Sequence, residues 1–299
     1  MTPFFDRLAP VVLLVATLFG CASHEPPLVA VTSTSSSTAT STVTTVAPLS
    51  RAQIDAIVAS PDRSAADRTN DQRRHPEDTL MFIGVKPGWT ALDVSTGGGY
   101  TTELLARAIG PNGIVWAQSR GPSSSSPKPA AAEGGAAAPA AMPAPQRTAA
   151  DMLAARSASM KAAGVSAAPI AYVARPFDDP VPPDVANGQL DLVTLMFNYH
   201  DFGFLNVNRA QTNAAIYKAL KPGGFYVIAD HAGRPGTGIS ESGTLHRIEQ
   251  SFLRAEVEAA GFRLVAEGDF LRNPNDPRTM NTPNPAQPKD QFVLKFVKP

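Results

Sequence analysis

Residues 92–110, LDVSTGGGYTTELLARAIG, set three consecutive glycines between an apolar strand and a helix. Segment 89–94 alternates and clusters as a buried strand does, and Gly97, Gly98 and Gly99 permit positive φ and close backbone approach. From Tyr100 onward, Leu104, Leu105, Ala108 and Ile109 recur at helical spacing until Gly110 and Pro111 stop the helix. A glycine turn between a strand and a helix is how α/β folds make room for a nucleotide-like ligand, and the three parts together are more specific than the glycines alone. No Lys-Ser or Lys-Thr pair follows the glycines, so the turn is a poor Walker phosphate loop. The plain alternative is a tight α/β turn with no ligand.

The remaining elements continue the alternation. A leading helix is expected over 52–66, and after it comes a charged cluster (Asp67, Asp71, Arg73, Arg74, His75) placed to cap a pocket at the glycine turn. Strands are expected over 113–118, 170–173, 189–197, 225–229, 262–267 and 291–297, with helices over 149–163, 209–220 and 247–260. The apolar run 189–197 delivers Asn198, Tyr199, His200, Asp201 and Phe202 to its carboxyl end. Parallel open sheets bind ligands outside the carboxyl ends of their strands, so chemistry is expected there and at Asp230 and His231, which end the next strand.

Two segments have too little bulk to build a core. Residues 23–48 are Ser/Thr-rich and nearly uncharged, and residues 120–147 are rich in Pro, Ala, Ser and Gly; both read as solvated tether or insertion. The apolar run 10–19 is too short to span a bilayer and reads as a signal-peptide core within residues 1–20. It ends in Leu18, Phe19, Gly20 and Cys21, which resembles a bacterial lipobox, and Cys21 is the only cysteine in the chain. The expected organisation is a leader (1–20), a lipidated Cys21 with its tether (21–49) and one domain (50–299) carrying the insertion. Such a protein sits in the bacterial cell envelope, anchored through Cys21, and Ala22 and Ser23 lean toward the outer membrane, facing the periplasm. Lysine plus arginine equals aspartate plus glutamate at 26 each, so nothing points to a nucleic-acid partner.

Asp93, Ser95, Gly97 and Gly99 resemble the first motif of class I S-adenosylmethionine-dependent methyltransferases, an acidic residue followed by glycines at alternate positions, here with Ser95 for the first glycine. Segment 219–231, ALKPGGFYVIADH, also resembles that superfamily's fifth-strand signature, and the resemblance covers about 85–298. Within the superfamily, the Asn-Tyr-His-Asp element at 198–201 looks closest to a group of bacterial methyltransferase-like proteins that are often exported. The resemblance implies a Rossmann-like, doubly wound α/β fold, with a mostly parallel seven-stranded sheet, helices on both faces and the last strand antiparallel. It implies S-adenosylmethionine as cofactor, bound by Asp93, Ser95, Gly97, Gly98, Gly99 and Asn198. At the end of the second strand, where the superfamily holds a ribose diol with a carboxylate, this chain has Gln118 and Ser119.

Methyl transfer from a sulfonium is an in-line displacement, for which a protein supplies alignment, a dry pocket and a base where the nucleophile carries a proton. His200 is the first candidate for that base, with Asp201 to orient it and His231 as a further catalytic candidate. Tyr199, His246 and His75 are candidates for the substrate pocket, whose occupant is a small molecule or an envelope component. The histidines have no short ligand spacing, so no metal centre is expected. A binding module that keeps the glycine cleft without catalysis is the alternative function.

Overall fold

Each central strand buries both faces, and that fixes the layers. In the computed structural model, which describes Ala16 and residues 46–121 and 147–299, Ala91 and Leu92 of β1 (Thr90–Val94) belong to different cores on opposite sides of one sheet. Val227 and Ile228 of β5 (Leu220–His231) and Val293 and Leu294 of β7 (Gln291–Val297) divide in the same way. Covered on both sides, such strands read as continuous apolar runs rather than alternating ones.

The other strands are β2 (Ile114–Ser119), β3 (Ile170–Ala174), β4 (Leu190–Met196) and β6 (Arg263–Gly268), and the sheet order is β3-β2-β1-β4-β5-β7-β6. Strands β3 through β5 pair in parallel, whereas β7 runs antiparallel to both β5 and β6. This is the seven-stranded, doubly wound plan that the resemblance implied. The order reverses between β1 and β4, so a crevice is expected at the carboxyl ends of these two strands.

Helices α1 (Arg51–Val58), α2 (Ala65–Arg74), α3 (Pro76–Ile83), α4 (Tyr100–Ile109) and α5 (Ala149–Ala162) precede β3. Ile54, Leu80, Leu105, Ile109 and Met160 from these helices build the core on one face. Four more, α6 (Asp201–Phe204), α7 (Arg209–Ala219), α8 (Ser242–Leu245) and α9 (Gln250–Ala259), follow β4, and Phe202, Ile216, Leu253 and Val257 help build the core on the other. The single leading helix expected over 52–66 is two helices. Ala59 caps α1 shortly before Pro61, and Ser64 caps α2 by accepting from the Asp67 amide. Strand β5 is also longer than expected, starting at Leu220 directly after α7.

No helix among the described residues is long and apolar enough to cross a membrane. The expected leader (apart from Ala16), Cys21, most of the tether and residues 122–146 of the insertion lie outside the described residues.

Candidate functional site

The β1–α4 turn carries the glycines as the sequence suggested. Gly97 (φ 54°) and Gly99 (φ 81°) take left-handed conformations, and Gly97 and Gly98 are exposed. Ser95 also lies in that region (φ 58°), although it has a side chain. Two bonds hold it there: its amide donates to Gln118 Oε1 at 2.9 Å and its hydroxyl to Asn198 Oδ1 at 2.6 Å. The turn opens onto a cavity of about 280 Å³ lined by Asp67, Arg74, Asp93, Ser95, Gly97 and Arg156, among others.

Asp93 lies deep in this wall and accepts from Thr102 Oγ1 (2.5 Å) and Thr194 Oγ1 (2.8 Å). Burial pushes its carboxyl up to about 6, against the opposing pull of those hydroxyls. Arg156 of α5 clamps the turn, donating to the Gly98 carbonyl at 2.6 Å and pairing with Asp67 and Glu103. Arg74 lies over the Phe197 ring, 3.9 Å from its centroid, and burial brings its guanidinium down to about 10. Arg156 was not singled out from the sequence, since it lies 58 residues from its glycine partner in a helix rich in small residues.

Parallel pairing sets Leu195 and Met196 of β4 beside Ile228 and Ala229 of β5, so the residues that follow emerge together. His200 is buried between two carboxylates. Its Nδ1 lies 2.6 Å from Asp230 Oδ1, its Nε2 lies 3.0 Å from Asp201 Oδ1, and its backbone amide donates to Asp230 Oδ2. Asp201 Oδ1 also meets His246 Nδ1 at 3.0 Å, while Asp201 Oδ2 accepts from Asn198 Nδ2 at 2.6 Å. Burial pulls the His200 imidazole down, but the charge of Asp230 and the bonds to both aspartates outweigh it and raise it to about 9. With both ring N–H groups donating to carboxylates, His200 offers no free lone pair, so in this geometry it positions Asp201.

The other expected site residues fall into two groups. Asn198 joins the glycine turn to the cluster through Ser95 and Asp201, and His246 presents a half-exposed ring from a left-handed backbone (φ 50°). His231 packs its ring 5.4 Å from that of His200, with Nδ1 near Gln291 Nε2, and burial holds it well below its ordinary value.

Tyr199 is instead fully buried. Its hydroxyl accepts from Asn213 of α7 and donates to Glu256 of α9, so the side chain is spent in the core beneath those helices. Gln118, expected at a ribose, is buried with its amide spent on Ser95 and on the Arg175 carbonyl, and Ser119 Oγ meets the Tyr172 hydroxyl at 2.8 Å. His75 caps α2 in a left-handed conformation and faces Asp78, and it lines a separate cavity with Gln72, Lys289 and Gln291. Of its charged neighbours, Asp67 and Arg74 line the glycine-turn cavity.

No family model matches the sequence, and no curated protein matches it. Among solved structures, the fold is similar to a SAM-dependent methyltransferase from Aquifex aeolicus, at 16% identity and TM-score 0.48, covering 84% of this chain and 100% of that one. It is also similar to the [4+2]-cyclase SpnF, at 14% identity and TM-score 0.47, covering 85% and 97%. A TehB-like SAM-dependent methyltransferase from Corynebacterium glutamicum is similar at 14% identity and TM-score 0.43, covering 79% and 99%.

Proposed function

We propose that the chain binds S-adenosylmethionine at the glycine turn and transfers its methyl group to a small molecule or envelope component held beside Asp201 and His246. One observation carries this reading. Ser95 belongs both to the wall of the glycine-turn cavity and, through Asn198, to the His/Asp cluster, so a ligand site and a polar reaction edge share one rigid connection. The lining carries both signs (Asp67, Arg74, Asp93, Arg156), which suits a zwitterionic amino-acid end. At about 280 Å³ the cavity is near the lower end of ligand pockets, roughly 300–1,000 Å³, which suits the methionine end of the cofactor.

The bound cofactor supplies an activated methyl carbon. The chain's own part is alignment: Asp201 and His246 form the partly exposed edge at which an acceptor would be held and would give up any proton it carries. His200 and Asp230 hold Asp201 in place from behind, and the neutral His231 buttresses His200.

The test is calorimetric titration of S-adenosylmethionine and S-adenosylhomocysteine, with Gly98→Leu as the blocked variant. Gly98 lines the cavity, and a Cβ there meets only Met152 Sδ at 3.8 Å, so a larger side chain crowds the cavity wall without a clash at its Cβ. Micromolar binding that Gly98→Leu abolishes is the expected outcome, and no binding at millimolar ligand would refute the reading. A second reading, a metabolite-binding module without catalysis, draws support from Gln118. With that amide consumed inside the protein, no carboxylate or free amide remains at the ribose position. Cofactor binding without methyl transfer to any acceptor would favour it.

The leader, Cys21 and the tether are read as an anchor that places the domain in the bacterial envelope, at the outer membrane facing the periplasm. Cys21→Ser is expected to move the protein from the membrane pellet to the soluble fraction on fractionation. Retention in the pellet would refute lipid anchoring.

A further inference from the structure

We propose that His200 Nε2, Asp201 Oδ1 and His246 Nδ1 form a three-ligand site for a divalent first-row transition metal. These three donor atoms lie within 4.8 Å of one another, and Asp201 Oδ1 is 3.0 Å from each histidine nitrogen. Donors about 2.0–2.1 Å from one ion and 90–110° apart stand roughly 3.0–3.4 Å from each other, so both of these separations fit a shared ion. Ligand distances in sequence conceal this, because the ligands come from the end of β4 and from the turn after α8.

The surroundings match what a metal site requires beyond its ligands. His200 Nδ1 is fixed by the buried Asp230, a carboxylate–histidine pair that aims Nε2 at the site and raises its basicity. Asp201 Oδ2 is held by Asn198, leaving Oδ1 to coordinate alone, and Asn198 is itself held by Ser95. Two carboxylates and two imidazoles converge there, so the site carries negative charge once the imidazoles are neutral, and the proton on His200 Nε2 passes to solvent as the ion enters.

Of the nearby cations, Arg247 is paired with Asp276, whereas Lys289, hydrogen-bonded to the neutral Asn281, keeps its charge close enough to act on Asp201 and Asp230. The His246 side chain is 38% exposed and Asp201 20%, leaving room for water or an acceptor at the remaining positions, as in catalytic rather than structural sites. Two imidazoles and one carboxylate suit zinc, iron, cobalt or manganese better than magnesium or calcium.

This proposal goes beyond the methyltransferase reading and does not depend on it. The full chain, untagged and stripped with chelator, is titrated with Co²⁺ and Zn²⁺ by calorimetry, with the Co²⁺ sample followed by visible absorption. One equivalent is expected to bind with ligand-field bands. His246→Gln and Asp201→Asn, each confirmed as folded by circular dichroism, are expected to weaken binding at least tenfold, and His75→Gln to leave it unchanged. No uptake by the parent chain, or equal uptake by the His246 and Asp201 variants, would overturn the site. S-adenosylhomocysteine binding is measured separately on stripped and loaded protein: its loss with metal uptake intact refutes only the cofactor reading.

Discussion

Ser95 holds a backbone that glycine adopts freely, and does so because its amide and hydroxyl are both bonded, to Gln118 and Asn198. Two effects therefore oppose each other at this residue. A left-handed conformation costs a non-glycine residue about 1–2 kcal/mol, while a hydrogen bond contributes about 1 kcal/mol net. Ser95→Ala keeps the strain and loses the hydroxyl bond, whereas Ser95→Gly loses both, so the alanine variant should be less stable than the glycine variant by about 1–2 kcal/mol in urea unfolding. Equal stabilities would show that the left-handed backbone carries no net cost at this position. Asp93 supports a prediction in pH. Its folded value of about 6 lies above the ordinary 3.8, so the folded state holds the proton more tightly. That contribution is fully present below pH 3.8 and is lost as pH rises through about 6, amounting to up to about 3 kcal/mol. Asp93→Asn stays neutral throughout. Its stability relative to the parent should therefore rise by up to about that amount between pH 4 and pH 7, measured by urea unfolding at both. A pH-independent difference would mean that Asp93 remains ionised within the fold.

At the scale of elements, the glycine turn and helix α5 are packed too closely for any larger residue at Gly99. An added Cβ would stand 2.7 Å from Leu153 Cδ2 and 3.0 Å from Arg156 Cδ, at a φ of 81°. Strain and crowding together set the cost of Gly99→Ala at about 2–4 kcal/mol, read as a fall in Tm on the order of 5–15 °C. An unchanged Tm would mean that α5 moves aside without cost. The loop between β6 and β7 is fixed differently, by the fully buried ion pair of Arg247 with Asp276 and by Arg278 with Asp290. Asp276→Ala leaves the Arg247 charge buried without a carboxylate and should cost about 3–5 kcal/mol in chemical unfolding. A cost under 1 kcal/mol would mean that the carbonyls of Ala232 and Met280 suffice for it. The glycine turn and helix α2 differ in how far the sequence revealed them. The turn was legible because glycines between an apolar run and a helical run have few other uses. Helix α2 was not, since AADRTNDQRR has no apolar stripe and is held by Arg63–Asp71 and Asp67–Arg156 pairs that cross between elements. The His/Asp cluster was legible as residues but not as geometry. Only parallel pairing of β4 with β5 and the left-handed turn at His246 bring positions 200, 230 and 246 together.

At the scale of the whole molecule, the sheet is shared by two cores, and the chain's two tryptophans report on them separately. Trp89 packs against the core built with α1, α3 and α4, and Trp116 against the core built with α7 and α9. Adjacent residues of one strand serve opposite cores, as Leu92 and Ala91 do, so neither helical layer can leave without exposing strands that the other still needs. Cooperative unfolding of residues 50–299 follows from that sharing, since a sheet stripped on one face loses burial along its whole length. Trp89→Phe and Trp116→Phe each leave one reporter. Their fluorescence transitions in urea should share one m-value, and each should coincide with the far-ultraviolet circular dichroism of the same variant. Phenylalanine keeps most of the ring's apolar contact, so each variant is compared with its own backbone signal and a small shift in midpoint does not confuse the result. Fluorescence and backbone transitions that separate within one variant would show one layer releasing first, and the reading of 50–299 as a single folding unit would fail.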